Sequence, residues 1–250
     1  MNNPKQNFFL TNNNQKIHYK FINNKSQTTI IFLHGLMSDI KSKKAKHLKN
    51  FVNKNKINLL LFEYSGHGKS SGQFIDFSIK NWVEDSRLII KKIIKKNKII
   101  LIGSSMGAWI GTILIKYFHK KIKGFIGIAS APDFTEELIW KNLNIFEKNK
   151  IKNGKIYKLK SSHNNFYPIT KKFIFDGKKN LVLNKKIKCN FPVELLHGAD
   201  DSSVSWLYSI KLIKTLITKK LNLTIINDGD HSLSRPQDLK KLDLAIKNII

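Results

Sequence analysis

The sequence predicts an α/β fold: a mostly parallel central sheet, helices on both faces, and one inserted lid. Three observations predict it. Short apolar runs of strand length alternate along the chain with longer segments of helical period. One run, Lys98-Ile99-Ile100-Leu101-Ile102, passes into Gly103-Ser104-Ser105-Met106-Gly107 and on into the helical pattern Ala108-Trp109-Ile110-Gly111-Thr112-Ile113-Leu114-Ile115. Two later runs end in loops that carry carboxylates and a histidine. Strands that alternate with helices form a parallel sheet covered on both sides.

The elements follow in order. Residues 8–10 and 16–21 pair as a short antiparallel hairpin around Thr11-Asn12-Asn13-Asn14. Residues 28–33 are a buried strand, 43–55 a helix and 57–62 a strand. A long amphipathic helix covers 78–96, its lysines falling between apolar residues as on a solvated face. Residues 98–102 form the strand before the glycine turn, 105–120 the helix after it, and 123–128 the next strand. The last two strands are 192–196 and 223–226, separated by a helix over 206–220. A final helix opens near Ser234, where Ser234 and Gln237 fit a capping box and Pro236 suits the first turn. Between 132 and 187 the strand rhythm is lost: an amphipathic stretch, 135–146, precedes the Lys-, Ser- and Asn-rich 150–165 and the aromatic-bearing 166–183. So long an excursion is mostly functional. The expectation is one domain, 1–250, with a lid at about 133–187 over the carboxyl ends of the strands.

The glycine turn is the strongest signal. A serine at its centre is held in strained backbone with its hydroxyl pushed out, and the flanking glycines let the chain turn without Cβ clashes. The helix that starts there aims free N–H groups and its positive dipole end at the same spot. Ser105 is therefore a candidate nucleophile beside an anion site. A serine needs a base, and the base an orienting carboxylate. Pro192-Val193-Glu194-Leu195-Leu196-His197-Gly198 ends in the loop Ala199-Asp200-Asp201-Ser202-Ser203-Val204. Leu223-Thr224-Ile225-Ile226 ends in Asn227-Asp228-Gly229-Asp230-His231-Ser232. Parallel strands present their carboxyl ends on one rim, so three loops deliver Ser105, Asp201 and His231 to one place.

Composition bounds the rest. The 250 residues, 41% hydrophobic, suffice for a domain with a sizeable core. The net charge of +28 rests on 45 basic residues, of which only Arg87 and Arg235 are arginine. A phosphate-reading surface favours arginine, and the lysines are spread through helices and loops alike. No specific nucleic-acid partner is expected, and any attraction to anionic surfaces should be weak. No apolar stretch has the length of a membrane span, and the N-terminus lacks the apolar region of a secretory signal. With the single cysteine, Cys189, nothing requires an oxidising compartment, and a cytoplasmic protein is expected. No His/Cys cluster has metal-ligand spacing, so neither metal nor other cofactor is expected.

These residues carry a resemblance to the α/β-hydrolase superfamily. The matching pieces are Leu33-His34-Gly35-Leu36, Glu63-Tyr64-Ser65-Gly66-His67-Gly68-Lys69-Ser70, Gly103-Ser104-Ser105-Met106-Gly107-Ala108-Trp109, His197-Gly198-Ala199-Asp200-Asp201-Ser202-Ser203-Val204 and Gly229-Asp230-His231-Ser232. Within it the chain most resembles the tenth α/β-hydrolase-domain branch, mitochondrial palmitoyl-protein thioesterases that also hydrolyse acyl glucuronides. Gly-Ser-Ser-Met-Gly-Ala-Trp, the paired aspartates with Trp206, and Asp-His-Ser-Leu-Ser-Arg-Pro carry that finer similarity. The lack of an organelle-targeting segment fits a bacterial relative.

The resemblance implies a mechanism. Ser105 attacks an acyl carbonyl, His231 takes and returns the proton, and Asp201 orients the imidazole. In the family pattern the acid lies four residues after the histidine of His-Gly, which selects Asp201; Asp200 is the alternative. The backbone N–H groups of Met106 and Leu36 form the oxyanion hole. His34 and His197 are expected to brace their turns and Cys189 to pack in the core. The lid helps shape an acyl pocket. The implied partners are small-molecule acyl substrates or acyl-carrier and acyl-protein substrates, cleaved at an ester or thioester. A peptidase on the same triad, and a non-catalytic binding protein on the same fold, are the alternatives.

Overall fold

The arrangement of strands positions everything else. A computed structural model describes residues 7–11, 14–160 and 166–250. The expected turn at Asn12 and Asn13, part of the Lys-rich stretch at 161–165, and most of the N-terminal segment lie outside the described residues. The strands are β1 (Asn7–Leu10), β2 (Lys16–Ile22), β3 (Thr28–Leu33), β4 (Asn58–Phe62), β5 (Lys98–Ser104), β6 (Ile122–Ile128), β10 (Val193–Gly198) and β12 (Leu221–Ile226). They form one eight-stranded sheet in the order β1-β2-β4-β3-β5-β6-β10-β12. β2 pairs antiparallel with β1 and β4, and every other neighbour pair is parallel.

The central strands read as unbroken apolar runs because both faces are buried. Ile31, Leu33, Leu60, Phe62, Ile99 and Leu101 enter one core. Their alternates Ile30, Phe32, Leu59, Leu61, Ile100 and Ile102 enter the other. Helices α2 (Ile79–Ile93) and α3 (Met106–Phe118) cover the first face through Trp82, Ile89, Trp109 and Ile113. Helices α1 (Lys43–Asn55) and α7 (Pro236–Lys247) cover the second through Leu48, Val52, Leu242 and Ile246. Each such side chain contributes about 1.5–3 kcal/mol.

Several expected boundaries move, each for a physical reason. Helix α2 stops at Ile93 rather than 96, because Ile94 turns to extended backbone before Lys95 and Lys96. Helix α6 (Leu207–Thr215) ends five residues before 220, because Leu216–Ile217 (β11) pairs with Ile187–Lys188 (β9). The cap of α7 falls one residue later than Ser234: Asp238 Oδ2 accepts the Arg235 N–H at 3.0 Å, and Pro236 opens the helix.

The excursion between β6 and β10 holds more order than its composition suggests. Its amphipathic stretch breaks into a wide-turn helix (Thr135–Ile139) and a 3₁₀ turn (Trp140–Asn142), followed by α4 (Ile145–Lys152). A hairpin then pairs β7 (Tyr157–Lys160) with β8 (Phe166–Ile169), and α5 (Lys171–Lys178) completes it. Asp133 ties the two ends together, accepting the Val182 and Leu183 N–H groups at 2.8 and 2.9 Å. Phe134 and Phe173 pack edge-on against Trp109 and Trp82, seating the excursion on α3 and α2.

Candidate active site

The turn after β5 is built for one residue. Ser105 has φ +54° and ψ −118°, a conformation that costs an L residue of order 1–3 kcal/mol. Close packing holds it there. A Cβ on Gly107 would lie 2.0 Å from the Leu33 carbonyl oxygen, and one on Gly103 2.4 Å from the Gly107 carbonyl oxygen. Only glycine lets α3 and β3 approach this closely. The Ser105 N–H donates to Ile128 O at 2.8 Å, anchoring the elbow to β6.

The loops after β10 and β12 meet this elbow. His231 Nε2 stands 3.0 Å from Ser105 Oγ, and His231 Nδ1 stands 2.6 Å from Asp201 Oδ2. An ionised carboxylate can only accept, so Nδ1 carries the proton and Nε2 is left to accept from the serine hydroxyl. Asp201 is buried at 8% exposure. Its Oδ1 accepts the N–H groups of Ser203 and Val204 at 2.9 and 2.8 Å. Burial opposes its ionisation, but hydrogen bonds from His197 and His231, the His231 charge and the Val204 N–H outweigh burial and hold its carboxyl below the usual range. Asp200 is exposed, and its backbone N–H reaches Gly229 O at 3.0 Å.

The two residues of the expected anion site flank the elbow. Met106 is the first residue of α3, where an N–H has no acceptor within the helix. The turn that carries Leu36 lies against the elbow: a Cβ on Gly35 would sit 3.5 Å from the Ser105 Cβ. His34 Nδ1 bonds to Gly35 O at 2.8 Å. Burial lowers its pKa to about 3, helped by the neighbouring His67, so it is a neutral brace of that turn.

His197 ties its turn together, as the sequence reading expects, and it also touches the acid. Its Nε2 reaches Asp201 Oδ2 at 3.1 Å and Val204 O at 2.9 Å, while Nδ1 meets Ser209 Oγ at 2.8 Å. Two acceptors at Nε2 make that nitrogen the donor. Asp201 therefore sits between two imidazoles, His231 toward solvent and His197 in the core. Its spacing, four residues before the acid at a strand end, is the signal that could have exposed this. Cys189 is 3% exposed, and burial pushes its thiol up to about 12. Among the described residues, no three His, Cys, Asp or Glu side chains converge as a metal site requires.

The family model described as serine aminopeptidase S33 (Hydrolase_4) matches residues 24–172, more than half of the chain. The chain belongs to this α/β-hydrolase family. The match includes Ser105 and ends before Asp201 and His231. Among curated relatives, this α/β-hydrolase is 28% identical over 223 residues to the mitochondrial palmitoyl-protein thioesterase ABHD10 of Rattus norvegicus, covering 88% of the chain and 74% of that protein. Among solved structures, a presumed hydrolase of Agrobacterium vitis S4 superposes with TM-score 0.93 at 30% identity, over 98% of each chain. Mouse α/β-hydrolase domain-containing protein 10 superposes with TM-score 0.88 at 26% identity, over 98% of this chain and 97% of that one. The sequence resemblance therefore holds for both superfamily and branch. That curated relative is mitochondrial by name; in this hydrolase no described helix is long and apolar enough to cross a membrane.

Proposed function

We propose that this chain is a serine-dependent esterase or thioesterase that works through an acyl-enzyme. Ser105 attacks the acyl carbonyl while His231 Nε2 takes its proton. The oxyanion is held by the N–H groups of Met106 and Leu36. His231 then protonates the leaving group, and water releases the acid by the same steps. Asp201 keeps the imidazole in the right tautomer and stabilises its charged form. The observation that carries this reading is the hydrogen-bonded line Asp201–His231–Ser105, at 2.6 and 3.0 Å, ending on a strained serine.

A thioester or activated ester suits this equipment. A thiolate departs with a conjugate-acid pKa of about 8.5, so its protonation need not be closely timed. An amine must be protonated as it leaves and needs a subsite to hold the peptide. The family description favours the peptidase reading as the second one. Against it, four of the excursion's five carboxylates are occupied by the chain's own groups. Asp133 accepts from Val182 and Leu183, Glu137 from Lys141 and Lys211, Glu147 from Asn144 and Tyr157, and Asp176 from Ser78. Glu136 keeps one buried oxygen unpartnered.

The proposal treats 1–250 as one domain and the segment 133–187 as a lid. Its support is that the segment leaves the sheet directly after β6 and exposes Ile145 and Phe146 at 59% and 76%. The substrate is an acylated small molecule, carrier or protein, and a cytoplasmic setting is part of the same reading. Matched acyl-thioester, acyl-ester and aminoacyl-amide substrates, compared by kcat/KM at low and high salt, test it. Thioester and ester turnover above amide is expected. An amide that matches the thioester replaces this reading with the peptidase. Anionic carriers should lose rate in salt if the lysines steer them.

A further inference from the structure

Most lysines of this chain line solvated faces, but Lys44 does not. It is 8% exposed, near the start of α1. That helix opens with Lys43 and Lys44 and has no acidic residue in its first turn, against the sign of the helix dipole. A buried ammonium is also costly without partners. A local choice that breaks two rules calls for a compensating role. Its partners supply one. Nζ donates to the carbonyl of Ser232 and, at 3.2 Å, to the hydroxyl of Ser234. Both belong to the loop that carries His231.

We propose that Lys44 is a positioning residue for His231: its ammonium holds the Ser232 carbonyl against α1 and so sets where the imidazole stands between Ser105 and Asp201. The inference rests on the triad reading above. Ser232 follows His231 directly, so a displaced carbonyl carries the histidine backbone with it. The rest of the loop is held at other points. Asp230 Oδ1 takes the Leu233 N–H at 2.8 Å, and Arg235 forks onto Asp228 and Asp238 at 2.7 and 2.8 Å. Among the described residues, Lys44 is the one side chain from another element that hydrogen-bonds Ser232, the residue after the histidine.

The charge of this anchor is poised. Burial lowers the Lys44 pKa to about 8, against Asp230 in the loop and Asp238 on α7, which raise it. Above that pH the amine is neutral and grips a carbonyl less strongly, since charge-assisted bonds are about twice as strong as neutral ones. Turnover should therefore decline on the alkaline side with a midpoint near pH 8.

The test compares wild type, Lys44→Met, Ser234→Ala and Ser105→Ala, using an acyl p-nitrophenyl ester and a fluorophosphonate label across pH. Lys44→Met should lower kcat about a hundred-fold, the cost of an ångström-scale misplacement. KM should stay near wild type, fluorophosphonate labelling should slow in parallel, and the alkaline limb should vanish. Ser234→Ala, which keeps Lys44 and its main partner, should fold normally and lose a few-fold in kcat. If Lys44→Met does not fold, the wild-type alkaline limb and Ser234→Ala decide. Wild-type kcat in Lys44→Met overturns the inference, as does a flat alkaline profile joined to full kcat in Ser234→Ala. Either result beside an inactive Ser105→Ala removes Lys44 alone. A Ser105→Ala protein that still turns over removes the triad reading, and the Lys44 inference with it.

Discussion

Gly198→Ala is the substitution that most directly tests whether two loops form one site. Gly198 ends β10, immediately after His197 and three residues before Asp201. A Cβ there would lie 2.0 Å from the carbonyl oxygen of Gly229, where ordinary contact begins at 3.4 Å. The colliding atoms are backbone, so no side chain can swing aside. The acid loop and the histidine loop must part by well over 1 Å. Besides the His231–Asp201 bond, two backbone bonds join them, Ala199 N–H to Ile226 O at 2.8 Å and Asp200 N–H to Gly229 O at 3.0 Å. Losing them costs about 1 kcal/mol each, and overpacking adds about 1–3 kcal/mol. That leaves a folded protein if its stability is ordinary, about 5–15 kcal/mol. The His231–Asp201 contact of 2.6 Å cannot survive such a separation, and kcat should fall about a hundred-fold or more. Thermal melts and kcat on a p-nitrophenyl ester measure both effects. Gly154→Ala is the control: its φ of +82° makes it strained, but nothing lies within 4 Å of its Cβ. It should lower stability and leave kcat alone. A folded Gly198→Ala protein with kcat within about three-fold of wild type would refute the reasoning, because an ångström-scale shift should cost far more.

The remaining predictions concern the same residues. Ser105→Ala should lose hydrolysis by on the order of a million-fold and keep its melting temperature; retention of a tenth of the turnover would remove the assignment. Asp201→Asn should cost about ten-thousand-fold through the wrong imidazole tautomer, with Asp200→Asn near wild type; the reverse ranking would move the acid to Asp200. The Asp201 carboxyl is held below its usual range by His197, His231 and Val204 in spite of burial. The stability this contributes is complete above the ordinary carboxylate pKa of about 3.9 and disappears as pH falls through the lower folded value. Melts of wild type and Asp201→Asn should therefore converge as pH drops below about 4, and a constant gap would contradict the ion-pair account.

Much of this was legible in the sequence, and the reasons differ by element. The central strands announce themselves because both faces are buried, so Ile99 to Ile102 reads as one apolar run. Ser105 is legible because its backbone demands Gly103 and Gly107 at fixed offsets. What stayed hidden depends on partners far along the chain. Leu216 and Ile217 continue a helical pattern, yet they become a strand because Ile187 and Lys188 pair with them. The hairpin of Tyr157–Lys160 and Phe166–Ile169 is masked by its lysines. His197 braces its turn as its place before Gly198 implies, but its bond to Asp201 is not written in the apolar strand that carries it, and Lys44 is one lysine among many.

These hidden residues share a property with the visible one. Ser105 occupies a backbone region that L residues avoid, with φ +54°. His197 is a fully buried imidazole at 0% exposure, and Lys44 a buried ammonium at 8%. Each departs from what local propensity and burial favour, and each is compensated by hydrogen bonds: Ser105 to Ile128 and His231, His197 to Asp201, Val204 and Ser209, and Lys44 to Ser232 and Ser234. Asp201 is where the compensation converges, since it takes both imidazoles and two backbone N–H groups. A carboxylate so fully satisfied has no freedom to follow a misplaced histidine. The histidine must be brought to it, which is what the Gly198–Gly229 contact does from one side and, on our proposal, what Lys44 does from the other.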